Sequence, residues 1–267
     1  LEMQMCRKRP GVLRALGNQD PPLEISINGK IYRQQEIYKH DSWAATATYQ
    51  SDGHIVVCKF NRQFPIFCVP MRWLGRALGR RETYFLTMLK GTPGIPKSYN
   101  EVIIKGIPAP HVSAHDFIQG QPLTYSSGLH CDFFENLDRL IRHLHSQRIA
   151  YVDLHKRENI LVGIDGLPYL IDFQISVSLP NVFGLNWLFL LFAKSDLYHL
   201  EKHRQVCSCG TSASIKRPWW IQMHRRLTLP WRSLRRRFLV LIGVRKGKGY
   251  ANSEIAVEVG LRHRASA

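Results

Sequence analysis

Residues 151–174 read YVDLHKRENILVGIDGLPYLIDFQ, and this stretch decides the organisation of the chain. Two apolar runs, 160–162 and 169–171, flank a turn signal at Asp165-Gly166, the pattern of a β-hairpin. Antiparallel pairing brings the two open ends of such a hairpin together. Polar residues crowd both ends, with Asp153, His155, Lys156 and Asn159 before it and Asp172 and Gln174 after it. Asn159 and Asp172 then lie side by side as two oxygen donors, the ligands a hard Mg2+ ion takes while keeping some of its waters. Asp153, a second carboxylate free of the metal, can orient a hydroxyl nucleophile.

Upstream, residues 25–60 read as strands. EISINGKIY carries an Asn28-Gly29 hairpin signal, and TATYQSDGHIVVCKF places Asp52-Gly53 between two β-rich runs. MRWLGRALGRRETYFLTMLKG, residues 71–91, has Leu74, Leu78, Phe85, Leu86 and Leu89 at three- and four-residue steps, which predicts an amphipathic helix ending at Gly91. EVIIKG and HVSAHDFIQG add two short strands. Beyond residue 120 the pattern changes: Leu129, Phe133, Leu137, Leu140, Ile141 and Leu144 form one helical stripe.

The order of these segments resembles the protein kinase-like superfamily, whose catalytic loop H-R-D-x-x-x-x-N is followed by a hairpin and D-F-G. The resemblance covers roughly residues 30–200. It implies an α+β, bilobal protein kinase-like fold, with an N-lobe antiparallel sheet carrying one helix and a mostly helical C-lobe. In IVVCK, Lys59 matches the third-strand lysine that pairs with nucleotide phosphates. Glu82 lies 23 residues on, inside the predicted helix, where the family keeps that lysine's glutamate partner. Asp153 matches the base, Lys156 the lysine that stabilises transferred charge, and Asn159 and Asp172 the metal ligands. Ser42, Asp116 and Phe117 complete the expected nucleotide-binding set. ATP and Mg2+ are the implied cofactors.

Departures from the family pattern are informative. Asp153 lies six residues before Asn159 instead of five, so one residue must bulge from the loop and His155 stays open as an alternative base. Tyr151 and Val152 replace His-Arg, and Gln174 replaces the glycine of D-F-G. No glycine-rich loop precedes Lys59. KHDSWAATATYQ stands there instead, with Ser42, Ala44 and Ala45 small enough for amides to approach phosphate. Only 24 residues separate Asp172 from Asp196 in FAKSDLYHL, which looks like the helix whose aspartate buttresses the catalytic loop. That short spacing resembles bacterial lipopolysaccharide kinases acting on heptose or Kdo sugars and, more distantly, RIO-type kinases. It implies transfer to a hydroxyl of a sugar or glycolipid. The alternatives are a catalytically weak kinase-like adaptor that binds membrane or nucleic acid, and a Ser/Thr protein kinase.

The 267 residues carry 37 Lys plus Arg against 20 Asp plus Glu, a formal charge of +17. A hydrophobic fraction of 45% excludes a mostly disordered basic tail. Residues 202–253 hold thirteen Lys or Arg and no acid, so the excess is local. Four parts are expected: an irregular basic arm at 1–24, an N-lobe at 25–120, a C-lobe core at 121–200 and a basic extension at 201–267. In the extension, Trp219, Trp220, Trp231 and Phe238 accompany Arg225, Arg226, Arg232, Arg235, Arg236 and Arg237. Rings beside guanidiniums suit an anionic membrane surface, with nucleic acid the less favoured partner. The six cysteines form no C-x-x-C pair and read as reduced. Cys207 and Cys209 could join His199 or His203 on a metal, although incidental thiols in a loop are the simpler reading. No signal peptide and no membrane span is expected, which makes the chain cytoplasmic, or peripheral at the inner face of the membrane.

Overall fold

The computed structural model describes residues 10–66, 69–124, 128–182, 184–209, 218–219 and 222–223. Arg225 through Arg237, and with them the expected membrane segment, lie outside the described residues. The chain divides into two compact units, one comprising Leu1–Leu123 with Lys156–Ser176, the other Thr124–His155 with Val177–Ala267. The hairpin that follows the candidate catalytic loop therefore groups with the sheet, although helices flank it in sequence. The class is α+β, an antiparallel sheet with one long helix and then a mainly helical unit, as expected of a kinase-like chain.

In the first unit, β1 (Glu24–Ile27), β2 (Lys30–His40), β3 (Ala44–Ser51) and β4 (His54–Asn61) precede helix α1 (Arg72–Met88). After it come β5 (Ser98–Tyr99), β6 (Ile103–Ile104), β7 (Ile107–Pro108), β8 (Val112–Asp116) and β9 (Gly120–Pro122). Eight of these strands form one antiparallel sheet in the order β5-β8-β4-β3-β2-β1-β6-β7. Both expected hairpin turns are present: Asn28-Gly29 and Asp52-Gly53 hold φ of 51°/78° and 48°/77°. Two consecutive positive φ values define the turn whose twist matches flanking strands. Lys105-Gly106 makes a third such turn, at 51°/77°, between β6 and β7.

Strand alternation sorts β4 into two faces. Val56, Cys58 and Phe60 enter the core with Tyr49, Ala47 and Val112, while Lys59 and Asn61 point to the other side. There α1 packs; Phe85, Leu86 and Leu89 are buried as expected, but the first half of the stripe is displaced. Leu74 and Leu78 are half-buried, and the buried positions are Gly75, Gly79, Glu82, Phe85 and Leu86. The cause is close backbone approach. A Cβ on Gly75 would sit 2.1 Å from the Arg62 carbonyl oxygen, and one on Gly79 2.7 Å from that of Pro110. Two glycines four residues apart let the helix lie on the chain, which turns Glu82 towards β4. Gly75→Ala is accordingly expected to destabilise the protein by about 1–3 kcal/mol, the range for overpacking a close contact. A melting midpoint equal to wild type would contradict this packing.

The hairpin pairs β11 (Ile160–Gly163) with β12 (Pro168–Leu170), and β9 pairs with β11 on its other edge. In the second unit, α2 (Phe133–Ser146) buries Phe133, Leu137, Leu140, Ile141 and Leu144 as expected, whereas Leu129 falls ahead of the helix. A short pair, β10 (Ile149–Ala150) with β13 (Val177–Ser178), and α3 (Asn186–Cys209) complete it. Phe189 and Ala193 of α3 pack against Ala150. No helix among the described residues is long and apolar enough to cross a membrane.

Candidate functional site

Strand register builds the Lys59 cluster, which lies within the first unit. Lys59 stands opposite Thr46 on β3 and Ser113 on β8. Directly opposed residues share a face, so Ser113 points with Lys59 towards α1 and meets Glu82 there. The Lys59 ammonium is 2.8 Å from Asp172 Oδ1 and 3.7 Å from Glu82 Oε2. Its tighter partner is thus the aspartate. Glu82, 1% exposed, accepts a 2.7 Å hydrogen bond from the Ser113 hydroxyl and a 3.2 Å bond from the Gln174 amide. Two neutral donors therefore hold this carboxylate alongside the lysine.

Gln174 has a structural role of its own. Its Nε2 also donates to Asn61 Oδ1 at 2.6 Å, and Asn61 Nδ2 donates in turn to the His111 carbonyl. The segment after Asp172 is thereby tied to β4 and α1. Asp172 has φ of 62°, a left-handed conformation that a short polar side chain tolerates. Burial works to raise its pKa, but the charges of Lys59 and Lys156 and the Gln174 backbone amide outweigh it and hold the carboxyl below its usual range. For Lys59, burial works downward and the charges of Glu82 and Asp172 prevail, leaving the ammonium above its usual value.

Asn159 is 4% exposed at the end of a short turn, Arg157–Asn159, leading into β11. Its carbonyl accepts the Ile171 amide at 3.1 Å, which sets its backbone beside the residue preceding Asp172. The hairpin thus brings Asn159 and Asp172 together in register, as antiparallel pairing of its open ends requires. Both offer hard oxygen donors, and the aspartate is held ionised, so the pair fits a Mg2+ ion.

The remaining nucleotide-site expectations fare differently. The Ser42 hydroxyl donates to the Leu13 carbonyl at 3.0 Å, and its own carbonyl accepts from Arg62. The amides of Trp43 and Ala44 both donate to Asp41 Oδ1, at 2.7 and 2.9 Å. The Asp41 carboxylate thus occupies the Ala44 amide, one of the three positions, with Ser42 and Ala45, expected to approach phosphate. Asp116 accepts from the Tyr99 hydroxyl at 2.6 Å and lies 3.0 Å from His54 Nε2, while the Phe117 amide donates to Ile55. These bonds fasten the end of β8 to β4 and β5.

In the second unit, Asp196 organises the loop that carries Asp153. It is fully buried, its Oδ2 accepting the Tyr151 amide and its Oδ1 the Val152 amide, both at 2.8 Å, with His145 Nε2 at 3.1 Å. Val152 has φ of 68°, and the Asp153 amide donates back to the Tyr151 carbonyl at 2.8 Å. This three-residue turn absorbs the extra residue of the loop. A β-branched residue at positive φ costs of order 1–3 kcal/mol, so the carboxylate of Asp196 compensates a strained backbone next to Asp153. The Asp153 side chain is 2% exposed, with His155 Nδ1 at 3.4 Å. His203 Nε2 lies 2.8 Å from the Leu154 carbonyl. Burial and the neighbouring His155, His203 and Lys202 push His199 down to about 3, so it is neutral at physiological pH. Cys58, Cys131 and Cys207 are free thiols, and no metal cluster forms around Cys207 among the described residues.

The Ser113, Asn61 and Gln174 contacts to Glu82 and its surroundings were not foreseen from sequence. Gln174 stood out as a departure from D-F-G, but its partners emerge only from strand register.

No protein-family model matches the chain, and no curated protein matches it. Among solved structures, the Rio2 kinase–ADP/Mg2+–phosphoaspartate complex from Chaetomium thermophilum is similar, with a TM-score of 0.47 and 16% identity over 70% of this chain and 57% of that one. The chain thus spans a little over half the length of that structure, and likeness at this level assigns no role to any residue here.

Proposed function

We propose that this chain is a kinase-like phosphotransferase that moves the ATP γ-phosphate to a hydroxyl. The observation that carries the reading is the half-buried Lys59 of β4, held 2.8 Å from Asp172 and 3.7 Å from Glu82. Phosphoryl transfer needs mainly positioning and charge stabilisation, which such an arrangement supplies. Asn159 and Asp172 would hold Mg2+, which when bound neutralises charge on the phosphate oxygens. Lys59 presents a fixed ammonium to the phosphates. Lys156, whose charge already acts on Asp172, adds a second cation. Asp153, on the loop fixed by Asp196, orients the acceptor hydroxyl, and His155 beside it is a proton acceptor within reach of that carboxylate.

The acceptor we favour is a sugar or glycolipid hydroxyl at a membrane surface. The support is the short run of 24 residues between Asp172 and Asp196, which leaves little chain for docking a peptide. The deciding experiment is ATP binding and turnover by the purified chain with and without Mg2+, beside Asp172→Ala. Wild type is expected to bind ATP more tightly with Mg2+ and to turn it over, and the variant to lose the Mg2+ dependence. Absence of binding and turnover in wild type, with no change on substitution, overturns the enzyme reading in favour of an adaptor.

A further inference from the structure

Helix α1 turns its other side to solvent, and the composition of that side is unusual. At 3.6 residues per turn, Arg72, Arg76 and Arg80 fall within about 80° of one another. Trp73, Tyr84 and Met88 occupy the adjoining arc of about 60°. All six are exposed; Trp73 is 64% accessible, Tyr84 56% and Met88 43%. The one acidic residue of the helix, Glu82, is buried on the opposite side. Among the described residues none of the three arginines has a carboxylate partner. Arg81, by contrast, is engaged, donating to the Ser176 carbonyl at 2.5 Å.

Nothing among the described residues accounts for this face. Arg72 opens the helix, and no acidic residue occupies the first turn. A cation there opposes the positive end of the helix dipole and works against helix stability. Large apolar side chains standing in water beside it gain nothing from the core. An aromatic and thioether strip edged by guanidiniums has the chemistry of a lipid–water interface, where rings sit at headgroup level and cations meet lipid phosphates. Nucleic acid would use the same cations, but Met88 offers no ring for base stacking, and a convex helix face provides no groove to follow a phosphate backbone.

We infer that the outward face of α1 is a docking surface for an anionic lipid bilayer. The inference is independent of the phosphotransferase reading, since none of these side chains belongs to the nucleotide site. It is also distinct from the basic C-terminal segment, because it rests on α1 alone.

The test is co-sedimentation of the full chain with vesicles of phosphatidylcholine alone or with one third phosphatidylglycerol, for wild type, Arg72→Gln/Arg76→Gln/Arg80→Gln and Trp73→Ala. Wild type is expected to partition onto the anionic vesicles and to be released by salt. The triple variant should lose on the order of 100-fold in partition coefficient, about five-fold per arginine. Trp73→Ala should lose several-fold while keeping its preference for anionic lipid. The triple variant should also melt at or above the wild-type temperature, because a charge opposing the helix dipole has been removed. A stable triple variant that partitions like wild type overturns the inference. So does wild-type binding that ignores lipid charge, or binding to a single-stranded oligonucleotide that depends on the three arginines while vesicles are ignored.

Discussion

Lys59→Met is expected to abolish the proposed phosphoryl transfer, with a loss of about 10^3-fold or more, because the half-buried cation between Glu82 and Asp172 disappears. It should also destabilise the fold by about 2–3 kcal/mol, less than complete isolation of a buried charge would cost. The reason for the smaller figure is that Ser113 and Gln174 still donate to Glu82. The stability difference has a defined pH dependence. Asp172 is held below its ordinary 3.8, so its contribution is full above that value and lost as pH falls through the lower folded pKa. Lys59 is held above 10.5, so its contribution is full below that value and lost as pH rises through the higher folded pKa. Wild type and variant should therefore differ most between the two values and converge towards both extremes. Denaturant melts across pH measure this. A constant difference from acid to neutral pH would place the effect of Lys59 in packing alone.

Asp196→Ala should have the largest effect on folding. It orphans two backbone amides and the His145 ring nitrogen, and it releases the strained Val152. Two unsatisfied amides at about 1–3 kcal/mol each, with the lost histidine contact, give roughly 3–5 kcal/mol. For a chain of this size that is a fall in Tm of about 10 °C. Asp196→Asn keeps one acceptor and turns an NH2 group towards the other amide, so it recovers at most part of the loss. Hydrogen exchange at Tyr151 and Val152 should quicken in both variants. Unchanged exchange there, with a Tm within about 2 °C of wild type, would mean that Asp196 does not support the loop.

Much of this was legible in the chain because it is written in local rules. Asn-Gly and Asp-Gly between β-rich runs identify their turns without tertiary information, since only the residues at positive φ need special chemistry. The juxtaposition of Asn159 and Asp172 was readable from the hairpin, and the grouping of Lys59 with Glu82 was expected from the kinase-like resemblance. Asp196 as the support of the loop was expected only from the resemblance of FAKSDLYHL to a kinase-like helix. Phe85, Leu86 and Leu89 of the expected α1 stripe are buried, but its first half was misplaced by one position for a physical reason: Leu74 and Leu78 signal burial by hydrophobicity, whereas Gly75 and Gly79 are buried by close approach, which periodicity does not register. The occupation of the Trp43 and Ala44 amides by Asp41 is a local turn that an aspartate there can signal, whereas the contacts of Gln174 join residues some ninety or more positions apart. One sequence does not display those.

The bonds of Gln174 also bear on pharmacology. A small molecule that gains room by pushing the fully buried Phe173 out of place must drag its neighbour with it. That breaks the amide's bonds to Asn61 and Glu82, the latter to a charged acceptor worth about 1.5–3 kcal/mol. Each such ligand would have to recover roughly ten-fold or more in affinity before it bound at all. Displacement of Phe173 is thus opposed in this chain by the bonds of the neighbouring Gln174 side chain.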